Sequence, residues 1–274
     1  MENHFRNEPP EVFTPLSPAN YARFYALEMA GYDEDAAFYR HFLPARGETI
    51  LEVGCGDGRL GRRLAAIGHR VLGIDNSPAM LRQAIRQAQP GFAVAAMDMR
   101  RLAFGKAFSV VIAAYNTLNL LAGEAEVLQT LAACRAALKA GGRLLLHLFL
   151  PETPAPPARR MQFTVMPLPE GGQLLKEIVR YYAPDGETML LTERYKYRPD
   201  AAARRNYRQE MRLLAWPPER WRRLFGESGW RIRFFSVDEP GRFPFAVRRA
   251  LLVALDVEGR DNIIGCSNSV SNVI

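Results

Sequence analysis

Ile50-Leu51-Glu52-Val53-Gly54-Cys55-Gly56-Asp57-Gly58-Arg59-Leu60 is the stretch on which the fold turns. Ile50, Leu51 and Val53 are apolar and partly β-branched, as a strand covered on both faces requires. Gly54, Gly56 and Gly58 follow at every second position, so the backbone can take positive φ and a ligand can approach without meeting a Cβ. Residues 59–67 then have helical composition, with Leu60, Leu64 and Ile67 on one face, and the run stops at Gly68. Strand, glycine turn and helix N-terminus together make a nucleotide-binding corner at the carboxyl edge of a parallel sheet.

Outward from that corner, strands and helices alternate. His69 to Asp75 reads as a second strand, ending in an acid 21 residues beyond Gly54, and Ser77-Pro78 opens the next helix. Phe92 to Asp98 is a third strand, again closed by an acid, and Phe108 to Tyr115 a fourth. Glu124 to Ala140 forms a long helix with Val127, Leu128, Leu131 and Leu138 inward; Gly142 to Phe149 is the fifth strand. A carboxylate at Asp75 can accept hydrogen bonds from both hydroxyls of a ribose, and charged acceptors make the stronger bonds.

Gly56, Gly58 and Gly61 satisfy the dinucleotide fingerprint G-x-G-x-x-G, a weak signal that leaves an NAD(P)-dependent oxidoreductase open. Glu52-x-Gly54-x-Gly56-x-Gly58, with its acid still on the strand, resembles motif I of the class I S-adenosylmethionine (SAM)-dependent methyltransferases. The resemblance runs from about Tyr21 to Val257. It is to the bacterial small-molecule type, similar to glycine/sarcosine and amino-sugar N-methyltransferases. It implies an α/β fold: a Rossmann-like seven-stranded sheet, its last strand antiparallel, with an antiparallel β lid inserted. The cofactor is then SAM and the product S-adenosylhomocysteine (SAH).

The resemblance also assigns residues. Glu52, Gly54, Cys55, Gly56 and Gly58 border the methionine part, Cys55 as a small residue tolerated there. Asp75 meets the ribose, Asn76 is a further cofactor contact, and Asp98 accepts from the adenine amine. Met80 touches the adenine edge, Met97 and Met99 sandwich the ring, and Ala114 completes the slot; for the methionines a plain core role fits equally. Tyr115, Asn116 and Asn119, on the loop after the fourth strand, are candidates for the methyl pocket, unless the Asn side chains merely cap the loop and next helix. Ser109 stands where the family commonly has Asp, away from the catalytic edge. His147 is either a core histidine or, with Tyr115, the candidate base for a hydroxyl or carbon acid; an amine acceptor needs only alignment.

Before the core, two short helices are expected at 20–27 and 33–43, the second capped by Asp33. Tyr21, Tyr25, Tyr32 and Tyr39 there either pack the helices on the sheet or, as in related enzymes, close over the cofactor, Tyr21 on SAM and Tyr25 and Tyr32 on the acceptor. After Pro151, the alternating runs at 173–183, 188–198 and 207–214, with Asp185-Gly186 between the first two, read as a three- to four-stranded lid. Arg180, Tyr195, Tyr197 and Arg212 are its acceptor-binding candidates, among alternating residues that include Lys176 and Glu193. A helix from Pro217 to Gly229 and strands at 231–237 and 246–257 return to the core sheet. The expected divisions are an arm (1–46), a SAM-binding core (47–150), the lid (151–214), the rest of the core (215–257) and a loose tail (258–274).

With 274 residues, 48% of them hydrophobic and 24% charged, the chain suits one α/β domain with an insertion. No apolar run nears the ~18 residues of a membrane span, and Met1 to Glu11 is polar, so cytoplasmic residence is expected. Three scattered cysteines argue against disulfides or zinc, and no metal is expected. The net charge of +7 divides as +2 (16 basic, 14 acidic) over residues 1–150 and +5 (20 and 15) over the rest, mostly Arg alternating with acids: a solvated surface. The expected partner is a small-molecule acceptor, for a monomer or homodimer. No aromatic-basic platform or Asn/Asp-Pro-Pro-Tyr motif suggests nucleic acid. A catalytically silent SAM-binding protein is a further alternative.

Overall fold

Local chemistry fixes the first element. Ser17 accepts a hydrogen bond from Asn20 N at 3.2 Å and so caps α1 (Pro18–Met29) at a proline-started N-terminus. The computed structural model describes residues 11–33, 35–44, 46–151, 160–238 and 250–257. Before α1 lies a two-residue strand, β1 (Thr14–Pro15), and after it α2 (Ala36–Phe42). Asp33 does not cap α2: it is exposed and pairs with Arg63, whereas Asp35 stands at the N-cap and its carboxylate pairs with Arg59 instead of the helix. A buried guanidinium outcompetes a backbone N–H as partner for a buried carboxylate.

The core follows as β2 (Thr49–Val53), α3 (Arg59–Ala66), β3 (Arg70–Asp75), α4 (Pro78–Arg86), β4 (Phe92–Ala96), β5 (Phe108–Ala113), a 3₁₀ turn (Thr117–Leu120), α5 (Glu124–Ala137) and β6 (Leu138–Phe149). The lid comprises β7 (Arg160–Pro167), β8 (Gly172–Tyr182), β9 (Thr188–Pro199) and β10 (Arg205–Leu214). The chain then returns through α6 (Pro218–Glu227), β11 (Arg231–Asp238) and β12 (Ala250–Asp256). Two sheets result, a seven-stranded one in the order β11-β12-β6-β5-β2-β3-β4 and a five-stranded one in the order β1-β10-β9-β8-β7. In the first, β2 to β6 run parallel and β12 runs antiparallel to both β6 and β11, the Rossmann-like arrangement expected.

Several boundaries differ from the sequence reading. α5 ends at Ala137, because Leu138 pairs with Phe108 and starts β6 early, around Gly141 at φ +71°. Ile67 and Leu128 are exposed, Ile67 because α3 ends one residue before it. β4 stops at Ala96, leaving Met97 and Asp98 on the following loop. The lid has five strands, since β7 pairs with β8 and β1 adds in parallel to β10. Asp185-Gly186 does turn between β8 and β9, with Asp185 Oδ1 accepting from Glu187 N (2.8 Å) and Thr188 N (3.0 Å). Ser109 bonds both Thr49 N and Thr49 O, tying β5 to β2 at the edge remote from the turn. The expected tail (258–274) lies outside the described residues.

The parallel strands are buried on both faces: Ile50, Leu51, Val111, Ile112 and Leu144 to Leu146 are all fully inaccessible. One core layer lies against α5 and α6, where Trp216, Trp221 and Phe225 pack, and another against α2, α3 and α4. At ~1.5–3 kcal/mol for each large apolar side chain buried, these layers fix the sheet that carries the glycine turn.

Candidate active site

Past Val53 the chain turns through Gly54, Gly56 and Gly58, at φ +66°, +57° and +78°. Cys55 N donates to Ile74 O (2.9 Å) and Gly56 N donates to Asp75 Oδ2 (2.9 Å), while Ser77 N donates to Asp75 Oδ1 (2.8 Å). One carboxylate thus clamps the turn to the end of β3. A Cβ on Gly56 would meet only the Tyr25 ring, at 3.8 Å, so this is the open point of approach. Gly58 serves packing instead: a Cβ there would come within 2.7 Å of the Phe92 ring, and the residue does not line the cavity as expected.

A cavity of about 510 Å³ opens above this turn, between the carboxyl edge of the large sheet, α1 and the inner face of the lid. That size suits a small-molecule site. On the sheet side it is lined by Glu52, Gly54, Cys55, Gly56, Asp75, Asn76, Met80, Met97, Asp98, Met99, Ala114, Tyr115 and Asn116. Asp75 and Asp98 therefore face one space. Asp98 is gripped by Arg100, whose Nε lies 3.0 Å from both carboxylate oxygens and whose Nη1 also bonds Glu126. The Arg100 bonds hold the Asp98 carboxyl below its usual range, and any second donor to Asp98 must share it with Arg100.

Tyr115 and Asn116 have φ of +46° and +66°, a conformation that costs non-glycine residues on the order of 1–3 kcal/mol and clusters at functional sites. It is held by Asn116 N donating to His147 O (2.9 Å) and by Thr117 Oγ1 donating to Ala114 O (2.7 Å). Among the described residues, Asn116 Oδ1 is buried without a hydrogen-bond partner, while the buried Glu52 carboxyl lies against the Gly61 backbone. Burial pushes the Glu52 carboxyl up to about 8 despite the opposing pull of Arg59, so at neutral pH it is largely protonated. Burial also raises the Cys55 thiol, which is therefore no nucleophile.

On the lid side, strand alternation sends Lys176, Ile178 and Arg180 of β8 and Met189, Leu191 and Glu193 of β9 toward the cavity; Met211 and Leu213 of β10 and Tyr21, Tyr25 and Glu28 of α1 join them. Lys176 Nζ lies 2.7 Å from Glu28 Oε2 and 2.6 Å from Glu193 Oε1, all three side chains less than a tenth exposed. Burial alone would lower the Lys176 ammonium, but Glu193 and Glu28 outweigh it and hold its pKa above the ordinary value. Burial raises the Tyr21, Tyr25 and Tyr115 hydroxyls, which stay protonated at neutral pH.

Six other expected site residues do not line the cavity. His147 is buried in β6 behind Tyr115, ring centroids 5.9 Å apart, and burial drops its pKa to about 4: a neutral core histidine. Tyr32 packs edge-on to Tyr115 from behind, with the Arg59 guanidinium 4.8 Å over its ring. Asn119 staples the core to the lid, donating to Phe149 O and Leu214 O and accepting from Phe149 N. Tyr195 lies one layer out, donating to Glu193 Oε2 at 2.9 Å. Tyr197 donates to Glu170 at 2.7 Å, and Arg212 is spent on Ala122 O and Thr188 Oγ1. Glu28, Lys176 and Glu193 were missed as site residues. Period-2 alternation marks the last two as facing one side of the lid, but nothing local marks Glu28.

Acids outnumber bases in the lining, seven (Glu28, Glu52, Asp57, Asp75, Asp98, Glu126, Glu193) to four (Arg59, Arg100, Lys176, Arg180), although the whole chain carries +7. Even with Glu52 neutral, the lining keeps more acidic than basic side chains, which favours positive over negative charge there. Among the described residues, no helix is long and apolar enough to cross a membrane.

Residues 50–142 match the sequence profile of the Methyltransferase domain family. The putative methyltransferase YqeM of Bacillus subtilis is 34% identical over 123 residues, which cover 43% of this chain and 49% of that protein. The dTDP-3-amino-3,6-dideoxy-alpha-D-glucopyranose N,N-dimethyltransferase of Streptomyces fradiae is 25% identical over 208 residues, 76% of this chain and 79% of that protein. Among solved structures, SAM-bound CalS10, an amino pentose methyltransferase from Micromonospora echinaspora, superposes with a TM-score of 0.63 at 25% identity, covering 88% of this chain and 92% of its own. The chain spans about half the length, 49% to 54%, of the first curated relatives it matches.

Proposed function

We propose that this chain, a member of the methyltransferase family through residues 50–142, is a SAM-dependent enzyme that methylates an N or O atom of a small molecule. The observation that carries this reading is the acidic cavity above the glycine turn, where Gly56, Asp75 and Asp98 meet in one space. The residues present fit the cofactor. Gly56 leaves an open approach, and among the described residues Asn116 Oδ1 is buried without a hydrogen-bond partner. The surplus of carboxylates suits a sulfonium cation.

Asp75 would hold the ribose, its outer lone pairs left over from the bonds to Gly56 N and Ser77 N. Met80, Met97 and Met99 would flank the adenine, with Asp98 at its edge beside Arg100. When bound, SAM supplies a methyl group already activated by the sulfonium. The protein's work is to align the acceptor and keep water out. Tyr21 and Tyr25 of α1, with the apolar lid residues Ile178, Met189 and Leu191, supply that roof. Tyr115 stays protonated and acts as a hydrogen-bond donor beside the acceptor, and His147 holds the Tyr115–Asn116 bend from behind.

The test is release of SAH from SAM when the protein is incubated with panels of amines, phenols and carboxylates. Turnover with one class supports the reading. SAM binding with no turnover on any class would leave a silent SAM-binding protein in its place.

A further inference from the structure

A turn just past β4 places a guanidinium on the carboxylate at the far end of the slot. In Asp98-Met99-Arg100-Arg101 the acid opens the turn, which is closed by Arg101 N donating to Asp98 O at 3.0 Å, and Asp98 Oδ1 accepts from Arg100 N at 2.9 Å. The turn folds the Arg100 side chain back over the carboxylate: Nε lies 3.0 Å from both oxygens and Nη2 2.6 Å from Oδ2. A carboxylate offers about four lone-pair positions. With Nε shared between the oxygens, three N–H groups of Arg100 take three of those positions and leave one on Oδ2. Arg100 is pinned in turn, since its Nη1 bonds Glu126 Oε1 of α5, whose Oε2 accepts from Ala122 N at 2.9 Å. Both side chains of the pair are about a third exposed, where a single ion pair adds little stability. What a fork held at both ends adds is direction.

Resting on the methyltransferase reading, we propose that Arg100 is a positioning residue that makes Asp98 a fixed reader of the purine 6-position, selecting an adenosyl ligand over its 6-oxo counterpart. Met97 and Met99 grip the faces of any purine alike, so the choice of base falls to its edge. The remaining lone pair of Asp98 Oδ2 accepts one N–H of a 6-amino group. A 6-oxo group would set acceptor against acceptor and leave the carboxylate without that bond. A loosely held carboxylate would escape the clash. It would turn to the N–H that a 6-oxo base carries at ring position 1, or take up a proton and donate to the oxygen. Arg100 closes both routes: the fork prevents rotation, and its bonds hold the Asp98 carboxyl below the ordinary range, against protonation.

The probes are SAH and S-inosylhomocysteine, its 6-oxo analogue, each titrated calorimetrically into the full chain. The wild type should favour SAH by about twentyfold or more, as expected for one lost charge-assisted hydrogen bond. Arg100→Met keeps the stem and removes the fork, and should cut that preference about fourfold or more, with a melting curve to establish that the variant is folded. Arg100→Lys keeps the charge without the fork and should lose preference to the same extent. Equal binding of the two probes by the wild type overturns the proposal. So does an unchanged ratio in Arg100→Met, the result expected if Arg100 only braces the loop and both ligands weaken by one factor. A full preference retained in Arg100→Lys would show that charge alone suffices, and overturns the role of the fork. Failure of SAH itself to bind the wild type would refute the methyltransferase reading rather than the role of Arg100.

Discussion

Replacing Asp75 with asparagine weakens two things at once, and by different amounts. The carboxylate accepts from Gly56 N at 2.9 Å and Ser77 N at 2.8 Å, one on each oxygen. Asparagine offers a single acceptor oxygen, so one backbone N–H is left facing an NH₂ group. Losing one charge-assisted hydrogen bond at a half-buried site costs about 2 kcal/mol, or roughly 4–8 °C in melting temperature for a domain of this size. The second loss falls on the ligand. Two ribose hydroxyls that would donate to a carboxylate must donate to a neutral amide or to nothing. The difference between charged and neutral acceptors is about 1 kcal/mol per bond, so about 2 kcal/mol in all, near thirtyfold in Kd. Calorimetric titration of SAH into wild type and Asp75→Asn, with melting curves to establish that both are folded, reads the two quantities separately. An SAH Kd within twofold of wild type would refute the ribose role, whatever the melting curve shows.

Other perturbations reach the same site from different directions. Gly54→Ala should cost about 3 kcal/mol, seen by thermal or urea unfolding, because the residue has φ +66° and its new Cβ would stand 2.4 Å from Thr117 Cγ2. Glu52 has a folded-state pKa raised to about 8 from 4.5, so the folded protein binds the extra proton and stability falls as pH rises between those values. Glu52→Gln should remove that part of the decline, making the variant progressively more stable than wild type from pH 5 to 8; parallel stability curves would contradict the assignment. Once an acceptor is in hand, His147→Gln should leave the shape of the pH–rate profile above pH 6 unchanged, since the imidazole, lowered to about 4, is already neutral there. Loss of an acid-side limb above pH 6 in that variant would restore His147 as a base.

How far the sequence reached follows from what is local and what is not. The run from Ile50 to Leu60 encodes strand, bend and helix within eleven residues, and each neighbouring strand announces itself by a β-branched or apolar run. The carboxylates at Asp75 and Asp98 were legible because parallel strands bring their carboxyl ends to one edge by topology alone. Long-range partners were not legible. Asn119 has the loop position of a pocket residue, yet both of its amide ends are consumed by Phe149 and Leu214, the latter 95 residues away. Tyr195 and Tyr197 alternate correctly for the lid but face α1 and Phe24 rather than the cavity. Leu138 and Lys139 are good helix formers, so the local sequence extends α5 to Ala140, whereas the pairing of Leu138 with Phe108 starts β6 there instead. The strained bend at Tyr115–Asn116 carries no glycine to advertise it.

The central claim is that one acidic slot at the carboxyl edge of the large sheet takes an adenosyl sulfonium. Calorimetric titration of the same protein with SAM, SAH and NADH addresses it most directly. One SAM or SAH per chain, with no heat from NADH beyond dilution, is the expected result; NADH binding alone, with SAM and SAH silent, would contradict it.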